Sequence, residues 1–470
     1  MIAEFKMNSL YDGLLYLCGW PLAVLLIAGG LYFTFRTGFI QLRLLLESIR
    51  VVVEKPANKG SVSSFGALMV STASRVGTGN IIGVSTAICF GGPGAVFWMW
   101  VTAVIGGASA FVESTLAQIY KRRNPDGTSY GGPSFYIESA CRNKFLAVIF
   151  ALALIFTYGV GYNMLASYNL QSAFAGFGFY QPHHCWYFGI ASASLFLFTI
   201  LCGSRFLVKT TGAIVPVMGV LYILLSLIAL VLNYKGIPAM FCKIFAGAFD
   251  FRAIFGGFAG SCVMWGLKRG LYSNEAGIGS APNAAAAADV SHPVKQGLVQ
   301  MLSVFIDTNL ICMATALMCL VSGVAPSSAN AGAPFVQQAL SSTFGSFGPV
   351  FIAVAMCLFA YTTLLGNFYY VESCFAYLFG KRPGKKSLLV IRIAGAALIL
   401  FGAALKMEHA WNIADIAQCI LAFINIPVCI VLGSKAYIAL NDYVSQKKQG
   451  KNPVYNSSEN GVTEQTDFWN

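Results

Sequence analysis

Residues 71–86 read STASRVGTGNIIGVST, inside an apolar run that extends from Phe65 to Phe90. Between Arg75 and Asn80 this run carries an arginine, two glycines and an asparagine, in a segment hydrophobic enough to be buried. Glycine-rich loops that cradle phosphates follow a strand and are usually closed by a lysine, and neither flanks this stretch. A second interruption, GLKRGLYSNEAGIGS at 266–280, lies in the other half of the chain. A helix stopped and restarted at bilayer depth leaves N–H and C=O groups unpaired, which is tolerated only where they line a cavity or meet a ligand. Two glycine-interrupted spans in corresponding halves point to a secondary transporter built from inverted repeats, with its site at the midplane.

Composition agrees. Of the 470 residues, 57% are hydrophobic and 10% charged, against about 25% charged in soluble domains, so this is an integral membrane protein. A bilayer core about 30 Å thick takes roughly 20 apolar residues per helical span. Such segments lie near 14–35, 64–90, 95–119, 145–174, 186–203, 207–233, 252–284, 296–322, 347–379, 388–405 and 412–438. The first is longer than a signal-peptide core and is read as retained. With it set aside as an extra helix, the remaining ten divide five and five. The expected architecture is all-α, with about eleven transmembrane helices: extra helix 14–35, first repeat 64–233 and second repeat 252–438. Each repeat opens on its broken span.

The net charge of +12 follows topology rather than a nucleic-acid surface. With the first span running outside to inside, the inner loops collect Arg36, Arg43, Arg50, Lys121 to Arg123, Lys295, Lys381, Lys435 and Lys447. The positive-inside rule then predicts an outer N-terminus and a cytoplasmic C-terminus. QLRLLLESIRVVVEKP at 41–56 has the spacing of an interfacial helix. The tail 441–470 is polar and aperiodic and is expected to be disordered and cytoplasmic. The thirteen cysteines are scattered, with no C-x-x-C pair. The histidines, at 183, 184, 292 and 409, fall outside the spans. No soluble domain is large enough for an active site, so an enzyme is not expected.

A helix break aims free N–H groups and the positive end of a half-helix dipole at the gap, which suits a carboxylate. The free carbonyls of the other half suit an ammonium group or Na⁺. Gly77 and Gly79 permit close backbone approach, and Asn80 adds an oxygen for a hard cation. Ionisable residues inside spans are functional candidates by default: Arg75, Glu113, Lys268, Arg269, Glu275, Asp307 and Glu372. Arg75 and Glu275 flank the breaks and, with Asp307, are candidates for a gating or charge network. Thr362 and Thr363 offer hydroxyls, although a threonine in a membrane helix usually bonds its own i−4 carbonyl. Aromatic residues such as Tyr158, Phe174 and Phe368 are more often packing than pocket.

The stretches SRVGTGNIIGVSTAICFGGPGAVFWMW at 74–100, FVESTLAQIYKRR at 111–123 and GLKRGLYSNEAGIGSAPNAAAAADVSHPVKQGLVQMLSVFIDT at 266–308 resemble the alanine or glycine:cation symporter family, and the similarity runs from residue 11 to about 440. The resemblance implies a leucine-transporter-type inverted-repeat fold in a bacterial or archaeal cytoplasmic membrane. It implies sodium-coupled uptake of small neutral amino acids, with Na⁺ as the coupling ion and no further cofactor. Membrane lipid is the expected surround; neither nucleic acid nor an obligatory protein partner is implied. The amides of Thr78 and Gly79 would hold the substrate carboxylate, and Ser273, Asn274 and Gly277 of the second break would complete the pocket, with Phe368 as its aromatic candidate. By analogy with the V-G-x-G-N break of sodium-coupled transporters of this fold, one Na⁺ would sit on the carbonyls of Ala73 and Val76 with Thr362 and Thr363, and Asn80 would serve a second cation.

One stretch departs. Where the family commonly reads N-x-V-Q-A-N-S, residues 163–169 read NMLASYN, so Ala166 replaces a glutamine that faces substrate and Tyr168 replaces an asparagine. The substrate therefore stays open among alanine, glycine, serine and D-enantiomers. A proton-coupled transporter of the same fold, with Lys268 or Arg269 replacing the cation, is the nearest alternative. A channel is the more distant one, since channels show pore loops or rings of like charge.

Overall fold

The computed structural model describes residues 13–470 apart from 15, 57–60, 126, 251–260, 382, 465 and 470. In chain order the helices are α1 (Trp20–Arg36), α2 (Leu45–Val52), α3 (Ser64–Arg75), α4 (Ile82–Gly91), α5 (Gly94–Ile119) and α6 (Pro133–Ala140). Next come α7 (Lys144–Ser172), α8 (Cys185–Leu201), α9 (Ser204–Leu232), α10 (Ile237–Ala248), α11 (Cys262–Asn274) and α12 (Pro282–Ala285). The chain continues with α13 (Pro293–Val321), α14 (Ala333–Phe344), α15 (Phe347–Leu378), α16 (Lys385–Gly402) and α17 (Met407–Lys448). α7 and α13 each contain a wide π-turn, at Ile155–Gly161 and Phe305–Cys312.

α5 forms the centre of the bundle, packed against α1, α10, α11, α13 and α17. α3 lies between α9 and α15. Outside, α9 turns Val217, Leu221, Leu224, Ile228, Val231 and Leu232 outward as an exposed aliphatic stripe. That pattern fits lipid rather than water. On α2, Leu46 is 82% exposed while Ser48 and Val51 are buried.

The two broken spans start alike. Ser63 Oγ accepts from Gly66 N at 3.0 Å to cap α3, and Ser261 Oγ accepts from Met264 N at 3.3 Å to cap α11. Each cap satisfies one of the first-turn donors that a helix leaves open. The expected span 252–284 is divided more deeply than the sequence suggests. Its residues 252–260 lie outside the described region, and beyond the break only the four-residue α12 is helical. A proline opens that turn, and an extended path to His292 follows it.

The tail corrects an expectation. α17 continues to Lys448, and the residues after it fold back onto the bundle instead of being disordered. Tyr455, Val462 and Trp469 are buried, and Tyr455 N donates to Ser291 O at 3.0 Å. The apolar residues of the tail, too sparse to show a period, are spent on docking rather than on a core of their own.

Basic residues gather at one end of the bundle. Lys435 pairs with Glu464, Lys295 with Glu54 and Lys447 with Glu47, and Lys121 Nζ donates to Ala288 O. This end is called the basic face below. His292, at the start of α13, is held against Asp442 there, and burial pushes its imidazole down to about 4.

Candidate functional site

The first break is built by its own sequence. α3 stops after Arg75, Val76 leaves the helical region at φ −75°, ψ 84°, and a single turn, Thr78–Asn80, leads into α4. Asn80 Oδ1 accepts from Gly77 N at 2.7 Å, closing the turn on itself. Both glycines are demanded by neighbours. A Cβ on Gly77 would stand 1.9 Å from Thr363 Oγ1, and one on Gly79 would stand 2.7 Å from the Tyr272 ring.

The second break uses left-handed backbone. Glu275 (φ 53°), Gly277 (φ 88°) and Gly279 (φ 81°) turn the chain out of α11. A non-glycine residue at positive φ is uncommon, and Glu275 is fixed there by its carboxylate. Ser280 Oγ donates to Oε2 at 2.7 Å, and Ser74 Oγ lies 2.8 Å from Oε1. The amides of Gly277 and Gly279 donate to Glu113 of α5, the latter at 3.1 Å. Asn425 Nδ2 of α17 reaches the same carboxylate at 2.7 Å.

Between the breaks lies a cavity of about 10 Å³, lined by Ser74, Arg75, Gly77, Thr78, Gly79, Tyr162, Tyr272, Glu275 and Thr363. That is room for about one water. On the side away from the basic face, Tyr162 and Tyr272 meet edge to face at 4.7 Å, and Tyr272 meets Trp411 at 4.9 Å. Behind them Arg269 pairs with Asp415 at 2.7 Å and lies 4.0 Å from the Trp411 ring centre. Tyr162 OH donates to Gln418 Oε1 at 2.8 Å. Toward the basic face the cavity is closed by the Glu113, Gly277, Gly279 and Asn425 cluster.

Several polar groups at the cavity lack partners. Thr363 Oγ1 is buried without a hydrogen bond, and so are Nε and Nη2 of Arg75. Leaving one buried polar atom unpaired costs about 1–3 kcal/mol, so these atoms are available to a ligand or an ordered water at the cavity. Arg75 itself is 1% exposed. It donates through Nη1 to Gln300 O at 3.2 Å and lies within electrostatic reach of Glu113, Glu275 and Asp307.

The sequence candidates separate into three groups. Thr78, Gly79, Arg75, Glu275 and Thr363 converge on the cavity, and the carbonyl-bearing turn Ala73 to Val76 runs beside it. Asn80, Ser273 and Asp307 converge on one another instead. Asn80 Nδ2 donates to Asp307 Oδ1 at 2.7 Å, and Ser273 Oγ and Thr308 Oγ1 donate to Oδ2 at 2.8 and 2.7 Å. Asn274 Oδ1 accepts from Ala276 N at 3.1 Å, so it shapes the second break, as Gly277 does.

Thr362, Ala166 and Phe368 lie elsewhere. Thr362 Oγ1 donates to Leu358 O and Phe359 O of its own helix. Phe368 packs on Phe196 at 5.0 Å and against Gly395. Ala166 is buried but does not line the cavity. Its helical neighbour Asn169 is the residue that reaches the break, with Nδ2 donating to Thr78 Oγ1 at 3.0 Å. Sequence reasoning missed Asn169, Tyr162, Tyr272 and Asp415; polar side chains in otherwise apolar spans were the available signal.

The profile of the sodium:alanine symporter family matches residues 6–457. The chain belongs to that family. It is 42% identical to the putative sodium/proton-dependent alanine carrier protein YrbD of Bacillus subtilis, over 96% of this chain and 94% of the relative. It is 40% identical to the probable sodium/glutamine symporter GlnT of the same bacterium, over 92% of this chain and 90% of the relative. Among solved structures it resembles the crystal structure of MhsT in complex with L-phenylalanine, with TM-score 0.58 and 15% identity, over 83% of this chain and 93% of that one. At that identity the likeness speaks for the fold alone, and it gives the chain the leucine-transporter-type architecture that the family resemblance implied.

Proposed function

We propose that this family member is a sodium-coupled symporter that imports small neutral amino acids by alternating access, with the basic face in the cytoplasm and the N-terminus outside. The observation that carries the reading is the juxtaposition at the first break. The half-helix turn Thr78–Gly79 presents backbone suited to a carboxylate, while the unpartnered hydroxyl of Thr363 stands directly behind Gly77, where a hard cation needs oxygen. Arg75 and Glu275 bound this space on the basic-face side, and the Tyr162, Tyr272 and Trp411 stack roofs it.

In this reading Thr78 and Gly79 hold the substrate carboxylate, and Asn169 supplies the polar anchor that Ala166 lacks. Ala73, Val76 and Thr363 hold Na⁺. Asp307, with Asn80 and Ser273, steadies the join between the two breaks. Alanine, glycine and serine fit a roof of two tyrosines better than large side chains do. The test is radiolabelled uptake into proteoliposomes with imposed Na⁺ or H⁺ gradients and a panel of amino acids. Uptake driven by Na⁺ alone and competed by alanine, glycine or serine supports the reading; equal uptake under a proton gradient without Na⁺ would overturn it.

Proton coupling is the second reading. It is favoured by the three buried carboxylates Glu113, Glu275 and Asp307 around the single cation Arg75. In that case Glu275→Gln would abolish proton-driven uptake and leave substrate binding in place.

A further inference from the structure

Several residues beyond 457, where the family match ends, make specific contacts on the basic face. Trp469 is 5% exposed, and its Nε1 donates to Gln118 O at 2.7 Å. Lys121 Nζ lies 4.6 Å from the Phe468 ring centre and 4.8 Å from that of Trp469. Asp467 pairs with Arg122 at 3.2 Å and accepts from Arg123 N at 3.0 Å. Glu464 pairs with Lys435 of α17 and accepts from Tyr120 OH at 3.1 Å. Acidic residues thus sit on basic ones, and two aromatic rings sit on a buried lysine.

The same groove residues grip the segment beyond the second break. Gln118 Nε2 donates to the carbonyls of Ala285 and Ala288, and Lys121 Nζ donates to Ala288 O at 3.1 Å. On the same helix Glu113 holds Gly277 and Gly279. The tail therefore caps the residues that tie α5 of the first half to the break of the second. Those ties must loosen for the cavity to open toward the basic face.

We infer that the end of α5 is a docking groove for an acidic–aromatic peptide, that Glu464, Asp467, Phe468 and Trp469 are its resident ligand, and that their docking acts as a brake on opening at the basic face. The brake rests on the transport reading above; the docking does not.

The chain truncated after Ser457 should keep a cooperative thermal melt and bind the fluorescein-labelled peptide SENGVTEQTDFWN by anisotropy, whereas the full-length chain, with its groove filled, should not. Binding should weaken at least tenfold for the peptide carrying Asp467→Ala and Trp469→Ala, and should weaken with rising salt because exposed charge pairs are screened. In proteoliposomes the truncated chain should take up substrate several-fold faster at saturation, and the peptide added on the basic-face side should restore the slower rate. A folded truncated chain that ignores the peptide, or binds both peptides equally, overturns the groove. Peptide binding without any change in uptake overturns the brake and leaves the groove. If neither chain transports any amino acid, the function proposed above fails while the binding result stands. Should truncation prevent folding, the full-length Asp467→Ala/Trp469→Ala variant carries the same comparison.

Discussion

Thr362 and Thr363 are neighbours in α15 with opposite surroundings, and the difference is testable one hydroxyl at a time. Thr363→Val removes an oxygen that has no partner in the protein. It should raise the Na⁺ concentration for half-maximal uptake about tenfold, equivalent to roughly 1.4 kcal/mol, with substrate binding preserved at saturating Na⁺. Thr362→Val loses bonds to Leu358 O and Phe359 O of its own helix and a long contact to Met218 Sδ, and should leave the Na⁺ dependence within about twofold, since side-chain back-bonding in a helix contributes little. An equal effect of both changes would contradict the cation assignment. A second contrast concerns α7. Asn169→Ala breaks the contact to Thr78 and should shift the competition profile among alanine, glycine and serine. Ala166→Gln should instead lower stability through overpacking, by about 1–3 kcal/mol, because the site is buried away from the cavity. A profile altered by Ala166→Gln with stability unchanged would return that position to the pocket.

At the scale of the element, the first break depends on one steric exchange. Gly77→Ala places a methyl group 1.9 Å from Thr363 Oγ1, so the threonine side chain or the turn must shift, and the variant should melt well below wild type in detergent. Adding Thr363→Ala removes the oxygen and leaves the next contact at 3.2 Å; the double variant should recover much of the melting temperature but not the Na⁺ response. No recovery would mean that the glycine is needed for its backbone freedom instead. These two breaks were the most legible part of the sequence, because glycines with a buried arginine or glutamate have few other uses in a membrane span. What could not be read were pairings set by the fold. Asn169 reaches Thr78 and Asp415 reaches Arg269 across long stretches of chain, and no local period encodes either contact. Ala166 was assigned from the residue it replaces, whereas the helical phase turns Asn169 to the break and leaves Ala166 out of the cavity lining. The tail was misread for a related reason: Phe468 and Trp469 stand as an isolated pair in a polar run, and the partners they find, Lys121 and Tyr455, are distant in sequence.

For the whole molecule, the basic face sets a limit in acid. His292 is buried against Asp442, with its imidazole held near 4 against an unfolded value near 6.5. The unfolded chain then binds the extra proton first as pH falls, so stability is unaffected above about 6.5 and declines progressively toward 4. Melting temperature measured across that window should fall for the wild type and more shallowly for His292→Gln; parallel slopes would place the sensitivity in another group. The cavity between the breaks has a consequence of a different sort. With space for one water, this arrangement and an amino acid exclude each other, so substrate can bind only to a more open member of the ensemble. A measured dissociation constant is then the intrinsic one divided by the fraction of molecules already open. Loosening the lid by Trp411→Ala, one ring behind the cavity-lining Tyr272, would enlarge that fraction. Affinity would tighten through what the empty protein has been spared, not through anything the ligand has gained.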